Sequence, residues 1–158
     1  MAHESFTTTT TVAATPADLA AVRRLVAEAY TVYVPRIGRE PAPMTADYAA
    51  LIDRGRVWVT RTADREGLLG VLVLIPFADH LLLDTVAVAP LAQGRGIGAA
   101  LLAFAEAHAR SLGLPEIRLY TNAAMHENLA YYPRRGYTQT HRGTVDGFHR
   151  VYFAKRLP

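Results

Sequence analysis

The first part of the chain changes from a β-branched pattern to a helical one. Residues 7–13 are rich in threonine, and Thr15, Pro16 and Asp18 then supply an N-cap, a proline at the first helical position and an acid at the third. Apolar residues follow at spacings of three and four, namely Leu19, Val22, Val26 and Tyr30. This pattern predicts a strand followed by an amphipathic helix.

The middle of the chain reads as a loop, a short helix and three strands. Residues 35–43 contain three prolines and a glycine, so we expect a loop there, with a short helix after it over residues 46–53. Three β-rich runs come next, separated by short connections at residues 62–67 and 77–79. These runs, residues 56–61, 68–76 and 80–88, predict an antiparallel meander.

The last part alternates between helix and strand. A helical stripe of Ile97, Leu101, Phe104 and His108 ends at Gly113, and residues 117–121 form the next predicted strand. A strand reached through a helix predicts a parallel pair with a right-handed crossover. A helix over residues 126–134 and two strands, residues 137–142 and 148–155, joined by a turn at residues 143–147, complete the chain.

The predicted fold class is therefore mixed α/β, with the order β-α-α-β-β-β-α-β-α-β-β. Six to seven strands would form a twisted, mostly antiparallel sheet flanked by about four helices. No internal repeat and no linker divide the 158 residues, half of which are apolar. We therefore expect one domain over residues 1–158.

Composition excludes several kinds of site. The chain has no cysteine, which rules out disulfides, thiolate nucleophiles and cysteine-based zinc sites. His80, His126, His141 and His149 lack an i, i+4 partner or a nearby carboxylate that would make a metal site or a triad, so no metal is expected. His108, on an apolar helix face, is expected to be half-buried rather than functional.

Charge and hydropathy suggest a cytoplasmic protein with a small anionic ligand. The longest apolar run, residues 68–77, is interrupted by Gly70 and Pro76, and the first residues lack a signal-like pattern, so neither a membrane span nor secretion is expected. A formal charge of +3 is mildly basic, and the arginines are scattered. We therefore expect no nucleic-acid partner.

A glycine-rich turn stands between a predicted strand and a long helix. Gly94, Gly96 and Gly98 leave backbone N–H groups uncovered at a helix N-terminus, which suits an anion. The same glycines could also serve a plain tight turn or a helix cap. Two other kinds of phosphate-binding loop are excluded. A dinucleotide-binding loop would follow the first strand of the chain, and a Walker loop would need Lys-Ser or Lys-Thr where Ala99 and Ala100 stand.

This turn resembles the acyl-CoA-binding motif of the GNAT (Gcn5-related N-acetyltransferase) superfamily, Gln/Arg-x-x-Gly-x-Gly/Ala, in the segment from Gln93 to Gly98. It also follows a strand that ends in Val-x-Val-x-Pro. A second block, residues 119–137, is similar to the downstream motif ending in Tyr-x-x-x-Gly-Phe/Tyr, and it lies at the expected distance. The resemblance covers nearly the whole chain and implies the GNAT fold, although residues 33–47 are where such proteins differ most.

The resemblance implies acetyl-CoA as the acyl-donor cosubstrate, with its pyrophosphate on the amides of residues 94–98 and its pantetheine arm along residues 86–88. Gln93 and Arg95 would assist at the phosphates, while Asn122 and Asn128 would hold the pantetheine arm or order their helix. The implied binding residues are Val86, Ala87, Val88, Gln93, Gly94, Arg95, Gly96, Ile97, Gly98, Ala99, Asn122, Asn128 and Tyr132.

Acyl transfer to an amine needs a neutral nucleophile, an oxyanion donor and an acid for the departing thiolate. Tyr132, five residues before Tyr137 as in the family, is the candidate acid, with Tyr131 as fallback and a core-packing role as the alternative. Asp84 shares a strand face with Val86 and Val88 and is the candidate base. It could instead pair structurally with an arginine or cap backbone amides, with the amine losing its proton to solvent.

The acceptor is expected to be a primary amine of a small molecule or peptide. By resemblance, its pocket would lie between residues 33–44, the strand around Asp84 and residues 141–150. The mixed charges there suggest a small polar amine that also carries a carboxylate, such as an amino acid or a peptide terminus; they are Arg36, Arg39, Glu40, Arg142, Asp146 and His149. Alternatives are an enzyme that transfers a longer acyl group, or a non-catalytic acyl-CoA-binding sensor or interaction module. The final hairpin could offer a dimer edge, so a monomer or a homodimer is expected.

Overall fold

The computed structural model describes residues 8–63 and 67–158. Its strands form one sheet with the order β1-β2-β3-β4-β5-β7-β6, in which the β4–β5 pair is parallel and the other neighbours are antiparallel. The strands are β1 Thr9–Ala13, β2 Val57–Thr62, β3 Gly70–Pro76, β4 Leu81–Val88, β5 Glu116–Asn122, β6 Thr138–Val145 and β7 Phe148–Arg156. The predicted meander and the parallel pair are confirmed.

Helices flank this sheet and carry the apolar stripes expected of them. They are α1 Leu19–Tyr30, α2 Val34–Ile37, α3 Tyr48–Asp53, α4 Ile97–Ser111 and α5 His126–Arg134, with single 3₁₀ turns at Pro16–Asp18, Thr31–Tyr33, Ala42–Thr45 and Pro90–Ala92. Val22 and Val26 of α1 and Leu101 of α4 are fully buried in the core. None of the described helices is long and apolar enough to cross a membrane.

The segment expected to be a loop, residues 35–43, contains the one-turn helix α2, and that prediction was wrong in this respect. Pro35 occupies the second position of the helix, where its missing N–H costs no intrahelical hydrogen bond. The helix ends at Gly38, whose φ of 83° places it in the left-handed region and whose N–H bonds to the Val34 carbonyl. The prolines therefore shorten the helix rather than prevent it.

The predicted turn at residues 143–147 is also shorter than expected. Strand β6 continues to Val145, and the chain reverses over two residues, Asp146 and Gly147, with φ values of 51° and 81°. Positive φ at both central positions is the geometry of a tight turn that matches the twist of the flanking strands. The predicted start at Thr7 and part of the 62–67 connection, residues 64–66, lie outside the described residues.

One glycine allows α4 to lie close against the sheet. A Cβ atom added to Gly70 on β3 would stand 2.9 Å from Leu101 Cδ1 and 3.2 Å from Ile97 Cγ2. Farther along α4, His108 is half-buried, as predicted, within 4.9 Å of the Trp58 ring centroid, and desolvation lowers its pKa. The close packing fixes the position of the α4 N-terminus, where the glycine turn ends.

The central strands part halfway along their length. Ladder pairing between β4 and β5 covers only Leu81–Leu83 of β4, paired with residues 117–119. Immediately beyond, β4 has a bulge, because Val73 faces Thr85 while Leu74 faces Leu83 and Asp84 is the extra residue. From Asp84 and Tyr120 onward, β4 and β5 are therefore no longer paired with each other, and a cleft opens between these unpaired halves.

Candidate active site

A cavity of about 580 Å³ occupies this cleft, a size typical of small-molecule sites. The sequence-predicted site residues line it, with the exception of Arg95. We call its two parts the glycine end and the hairpin end. The glycine end is formed by residues 93, 94 and 96–99 with Tyr131 and Arg135, and the hairpin end by Tyr30, Tyr33, residues 41–43, Asp84, Tyr120, Phe148 and Arg150. Val86, Ala87, Val88, Asn122, Asn128 and Tyr132 lie on the walls between them.

The cavity reaches both faces of the sheet. Side chains alternate along β7, so Phe148, Arg150 and Tyr152 share one face and Val151 and Phe153 the other. The Tyr132 ring packs on Phe153, whereas Arg150 lies over Tyr120. Since Tyr132 and Arg150 both line the cavity, it passes through the sheet where β4 and β5 part.

The glycine end is open backbone at the start of α4. Gly94 and Gly96 have φ values of 77° and 83°, in the left-handed region that favours glycine, and a Cβ atom at either would meet nothing within 4 Å. Gly96 is the N-cap of α4, so the uncovered N–H groups and the positive end of the helix dipole lie together. This end of the cavity can therefore hold an anionic group.

Two side chains complete the glycine end. A Cβ atom at Gly98 would lie 3.7 Å from the Tyr131 hydroxyl, and the Arg135 guanidinium lies 4.8 Å from the centroid of the Tyr131 ring. Sequence reasoning missed Arg135, although paired arginines just before Gly136 were a visible signal. Arg95, expected at the phosphates, is exposed and outside the cavity lining.

The position of Tyr132 is compatible with both alternatives that the sequence left open. It is 6% exposed, and its ring packs against Tyr131, Tyr137 and Phe153. It also lines the cavity. Burial raises the pKa of Tyr132 well above that of a free phenol, so the hydroxyl keeps its proton at neutral pH.

Asp84 is hydrogen-bonded to a tyrosine. The Tyr120 hydroxyl donates to Asp84 Oδ1 at 2.7 Å, and burial followed by the Asp84 charge raises the pKa of Tyr120. Among the described residues Asp84 forms neither of the structural contacts considered from sequence, an arginine pair or backbone capping. Sequence reasoning did not identify Tyr120, although strand alternation places it on the same face as Asn122.

Asn122 and Asn128 shape the connection between β5 and α5. Asn122 Oδ1 accepts from the Ala124 N–H at 2.9 Å, and Asn128 Nδ2 donates to Thr121 Oγ1 at 3.0 Å. Both asparagines therefore order this turn while lining the cavity. On the opposite wall the Tyr30 hydroxyl, also missed from sequence, donates to the Val86 carbonyl at 3.0 Å, and burial raises its pKa.

The charged residues expected around an acceptor lie outside the cavity lining, and two of them form structural contacts. Arg36 Nη1 lies 2.8 Å from Glu127 Oε1 on α5. Arg39 donates to the Asp146 carbonyl at 2.8 Å, and its guanidinium carbon is 3.7 Å from the Phe148 ring centroid. Glu40, Arg142 and His149 also lie outside the lining. The expectation that these side chains line the pocket was wrong, because Arg36 and Arg39 instead hold residues 31–45, here called the α2 segment, to α5 and to the β6–β7 hairpin.

One expectation about the histidines needs correction. His80 Nδ1 lies 2.7 Å from Asp79 Oδ1, so this histidine does have a nearby carboxylate. The pair lies outside the cavity lining, and its hydrogen bond lowers the pKa of Asp79. Over residues 8–63 and 67–158, no three histidine, aspartate or glutamate side chains come together as a metal site would require.

Comparison with known proteins agrees with this architecture. Residues 19–137 match the acetyltransferase (GNAT) family. Among solved structures, nourseothricin acetyltransferase is 25% identical over 65% of each chain, with a TM-score of 0.59. The Thermoplasma acidophilum PaiA N-acetyltransferase in complex with coenzyme A is 17% identical, covering 96% of this chain and 100% of that one, with a TM-score of 0.78. The ribosomal-protein-S18-alanine N-acetyltransferase from Escherichia coli is 19% identical over 94% of each chain, with a TM-score of 0.72. No curated protein matches the sequence.

Proposed function

Because the chain belongs to the acetyltransferase (GNAT) family, we propose that it transfers the acetyl group of acetyl-CoA to a primary amine of a small molecule or peptide. The amine would attack the thioester directly while both substrates are bound. The observation that carries this proposal is the single cavity that connects the glycine end to Tyr132 and Asp84. A donor and an acceptor can meet there without leaving the protein.

The cavity fits an acyl-CoA in two respects. The glycine end supplies uncovered N–H groups, the N-terminus of a 15-residue helix and the Arg135 guanidinium, which together suit a pyrophosphate. The unpaired half of β4 leaves an edge along Val86 to Val88 beside which an extended amide-containing arm can lie. The Val86 carbonyl already accepts the Tyr30 hydroxyl, so that contact is not free for the arm.

In the proposed reaction Asp84 and Tyr132 move protons. The amine nitrogen forms a C–N bond with the thioester carbonyl carbon as the C–S bond breaks. Asp84 takes the surplus proton of the amine, directly or through water, and Tyr132 gives its hydroxyl proton to the departing thiolate. Exchange with solvent then restores both groups, and the products are an amide and a thiol.

Burial supports the acid role of Tyr132. Its raised pKa keeps the phenol protonated until strong negative charge develops beside it, and a thiolate supplies that charge. The Tyr120 hydrogen bond supports the role of Asp84 by fixing the carboxylate at the bulge where β4 leaves the ladder. The two groups then stand on different walls of one cavity.

Thiol release tests the proposal directly. Purified protein would be assayed with acetyl-, propionyl- and succinyl-CoA against a panel of amines, as wild type and as Tyr132→Phe. We expect acetyl-CoA to be the preferred donor and the variant to lower kcat about a hundredfold or more, within the usual range for a general acid. The affinity for acetyl-CoA, measured by calorimetry, should remain unchanged.

Tyr137→Phe is the matched control. Tyr137 packs on the Tyr132 ring, and its buried hydroxyl has no hydrogen-bond partner among the described residues, so its removal should leave kcat near the wild-type value. Equal losses in both variants would show that Tyr132 acts through packing. Binding of acetyl-CoA without turnover of any amine would favour a non-catalytic binder, and absence of binding would overturn the proposal.

A further inference from the structure

One tyrosine joins two opposite charges at the hairpin end. The hydroxyl of Tyr120 donates to Asp84 Oδ1 at 2.7 Å, while the guanidinium carbon of Arg150 lies 4.1 Å from the centroid of the same ring. Asp84 and Arg150 both line the cavity. A carboxylate and a guanidinium thus both contact the same tyrosine and line the same cavity.

The Arg150 guanidinium has no hydrogen bond or ion pair with any described residue, its contact being the Tyr120 ring. Two other arginines of this region are engaged, Arg36 with Glu127 and Arg39 with the Asp146 carbonyl. A guanidinium carries its charge at every accessible pH and binds carboxylates through two parallel hydrogen bonds. Arg150 is therefore available to an anionic group of a ligand.

The spacing suits a compact zwitterion. An α-amino acid holds its nitrogen and carboxylate oxygens about 3 Å apart, as the N–Cα and Cα–C bond lengths dictate. The Asp84 carboxylate is hydrogen-bonded to the Tyr120 hydroxyl and the Arg150 guanidinium lies over the same ring, so a small bent zwitterion can reach both groups with charge-assisted hydrogen bonds of about 2.8 Å. A peptide N-terminus has an uncharged amide where Arg150 would require a carboxylate.

The remaining walls are uncharged. Tyr33, Pro41, Pro43 and Phe148 face the cavity, and Asp84 and Arg150 are the charged members of the hairpin end among the described residues. Apolar and aromatic walls stabilise an apolar group and penalise an unpaired charge. The part of the acceptor beyond its amine and carboxylate therefore meets a surface suited to an apolar side chain.

We propose that the acceptor is a free α-amino acid, with its nitrogen beside Asp84 and its carboxylate on Arg150. This inference rests on the proposed acetyltransferase function and names its substrate class. In this arrangement Arg150 does no chemistry. It fixes the amine relative to Asp84 and selects acceptors that carry an adjacent carboxylate.

The test compares free acids with their amides. L-leucine and L-phenylalanine would be assayed beside leucinamide and phenylalaninamide, with wild type, Arg150→Gln and Arg156→Gln. Wild type should favour the acids in kcat/KM by about tenfold to a hundredfold, the usual cost of an unpaired charge at such a site. Arg150→Gln should abolish this preference by raising KM for the acids while leaving the amides unchanged. Arg156, exposed at the end of β7, is the matched control and should keep the preference.

Three outcomes would overturn the inference. Amides that react as well as the acids would indicate a peptide-like acceptor, and an unchanged preference in Arg150→Gln would remove Arg150 from recognition. Failure of both amino acids to react would exclude the class. A measurement of acetyl-CoA binding separates failure of the amino-acid inference from failure of the proposed acetyltransferase function. The acetyltransferase function is overturned only if acetyl-CoA does not bind or if no amine of any kind reacts.

Discussion

The glycine end and the hairpin end of the cavity are built in different ways. Residues 93–99 of the glycine end are consecutive, and their shape follows from positive φ values at Gly94 and Gly96 and from the start of α4. The hairpin end collects side chains from α1, the α2 segment, β4, β5 and β7. The first needs only local geometry, whereas the second exists only when distant segments have docked.

The difference explains how each end can change. We expect substitutions at the hairpin end to alter which molecule fits without disturbing the backbone amides at the glycine end. The two ends meet at Asp84, which begins the unpaired half of β4. If the two ends are separable, variants at the hairpin end should leave the acetyl-CoA affinity unchanged, and variants at the glycine end should leave the KM for the amine unchanged.

Asp84→Asn should produce the largest of these separable effects. The amide can still accept the Tyr120 hydroxyl, so the geometry is retained while the base is lost. We expect kcat/KM for the amine to fall about a hundredfold, as for removal of a general base, with unchanged acetyl-CoA affinity by calorimetry. Asp79→Asn, outside the cavity, is the control. A loss below about threefold would mean that the amine gives its proton to water without Asp84.

Gly96→Val should give an intermediate effect at the other end. A β-branched residue at a φ of 83° stores strain of about 1–3 kcal/mol, which shifts the backbone amides at the start of α4. We expect the Kd for acetyl-CoA to rise about tenfold or more, with KM for the amine unaffected at saturating donor. Gly113→Val, at a φ of 72° beyond the other end of α4, imposes similar strain and should keep the affinity. Equal losses in both variants would point to general destabilisation.

Arg39→Gln should give the smallest effect. It removes one hydrogen bond to the Asp146 carbonyl and a cation–π contact with Phe148, each worth about 1 kcal/mol at an exposed site. The α2 segment would then hold the hairpin less firmly, and KM for the amine should rise about threefold to tenfold. Donor affinity should not change. Arg24→Gln on the exposed face of α1 serves as control, and a changed acetyl-CoA affinity in Arg39→Gln would show that the two ends are coupled.

Sequence predicted most of the fold because its signals are local. Strand alternation along β4 and the apolar stripe of α4 each depend on residues close in sequence, and both were confirmed. The predicted N-cap Thr15 caps the 3₁₀ turn Pro16–Asp18, which leads into α1. The helix α2 was missed because proline was taken to forbid a helix, whereas Pro35 falls in the first turn, where no N–H is needed. The final turn was placed too early because the positive φ of Asp146 is unusual for a residue with a side chain.

Prediction of the site divides in the same way between local signals, which sequence shows, and long-range contacts, which it does not. The glycine end was predicted from consecutive residues and a family resemblance, apart from Arg135. The Tyr120–Asp84 hydrogen bond depends on the register between β4 and β5, which pairs Leu83 with Leu119. The position of Arg150 depends on the register between β5 and β7, which pairs Asn122 with Arg150. Nothing within any one of these strands specifies either register. Likewise, the sequence shows that Arg36 and Arg39 are charged, but it does not show that Arg36 pairs with Glu127 or that Arg39 donates to the Asp146 carbonyl.

The position of strand β6 at the edge of the sheet has a consequence for aggregation. Strand β6 lies at one edge of the sheet, where no described strand pairs with its outer side, and its residues are almost all solvent-exposed. An irregularity between Gln139 and His141 interrupts its ladder with β7. Such a break twists the edge and locally disrupts its ladder, while polar side chains oppose dry stacking of one sheet on another. We therefore expect this open edge to resist the recruitment of further copies of the chain into fibrils.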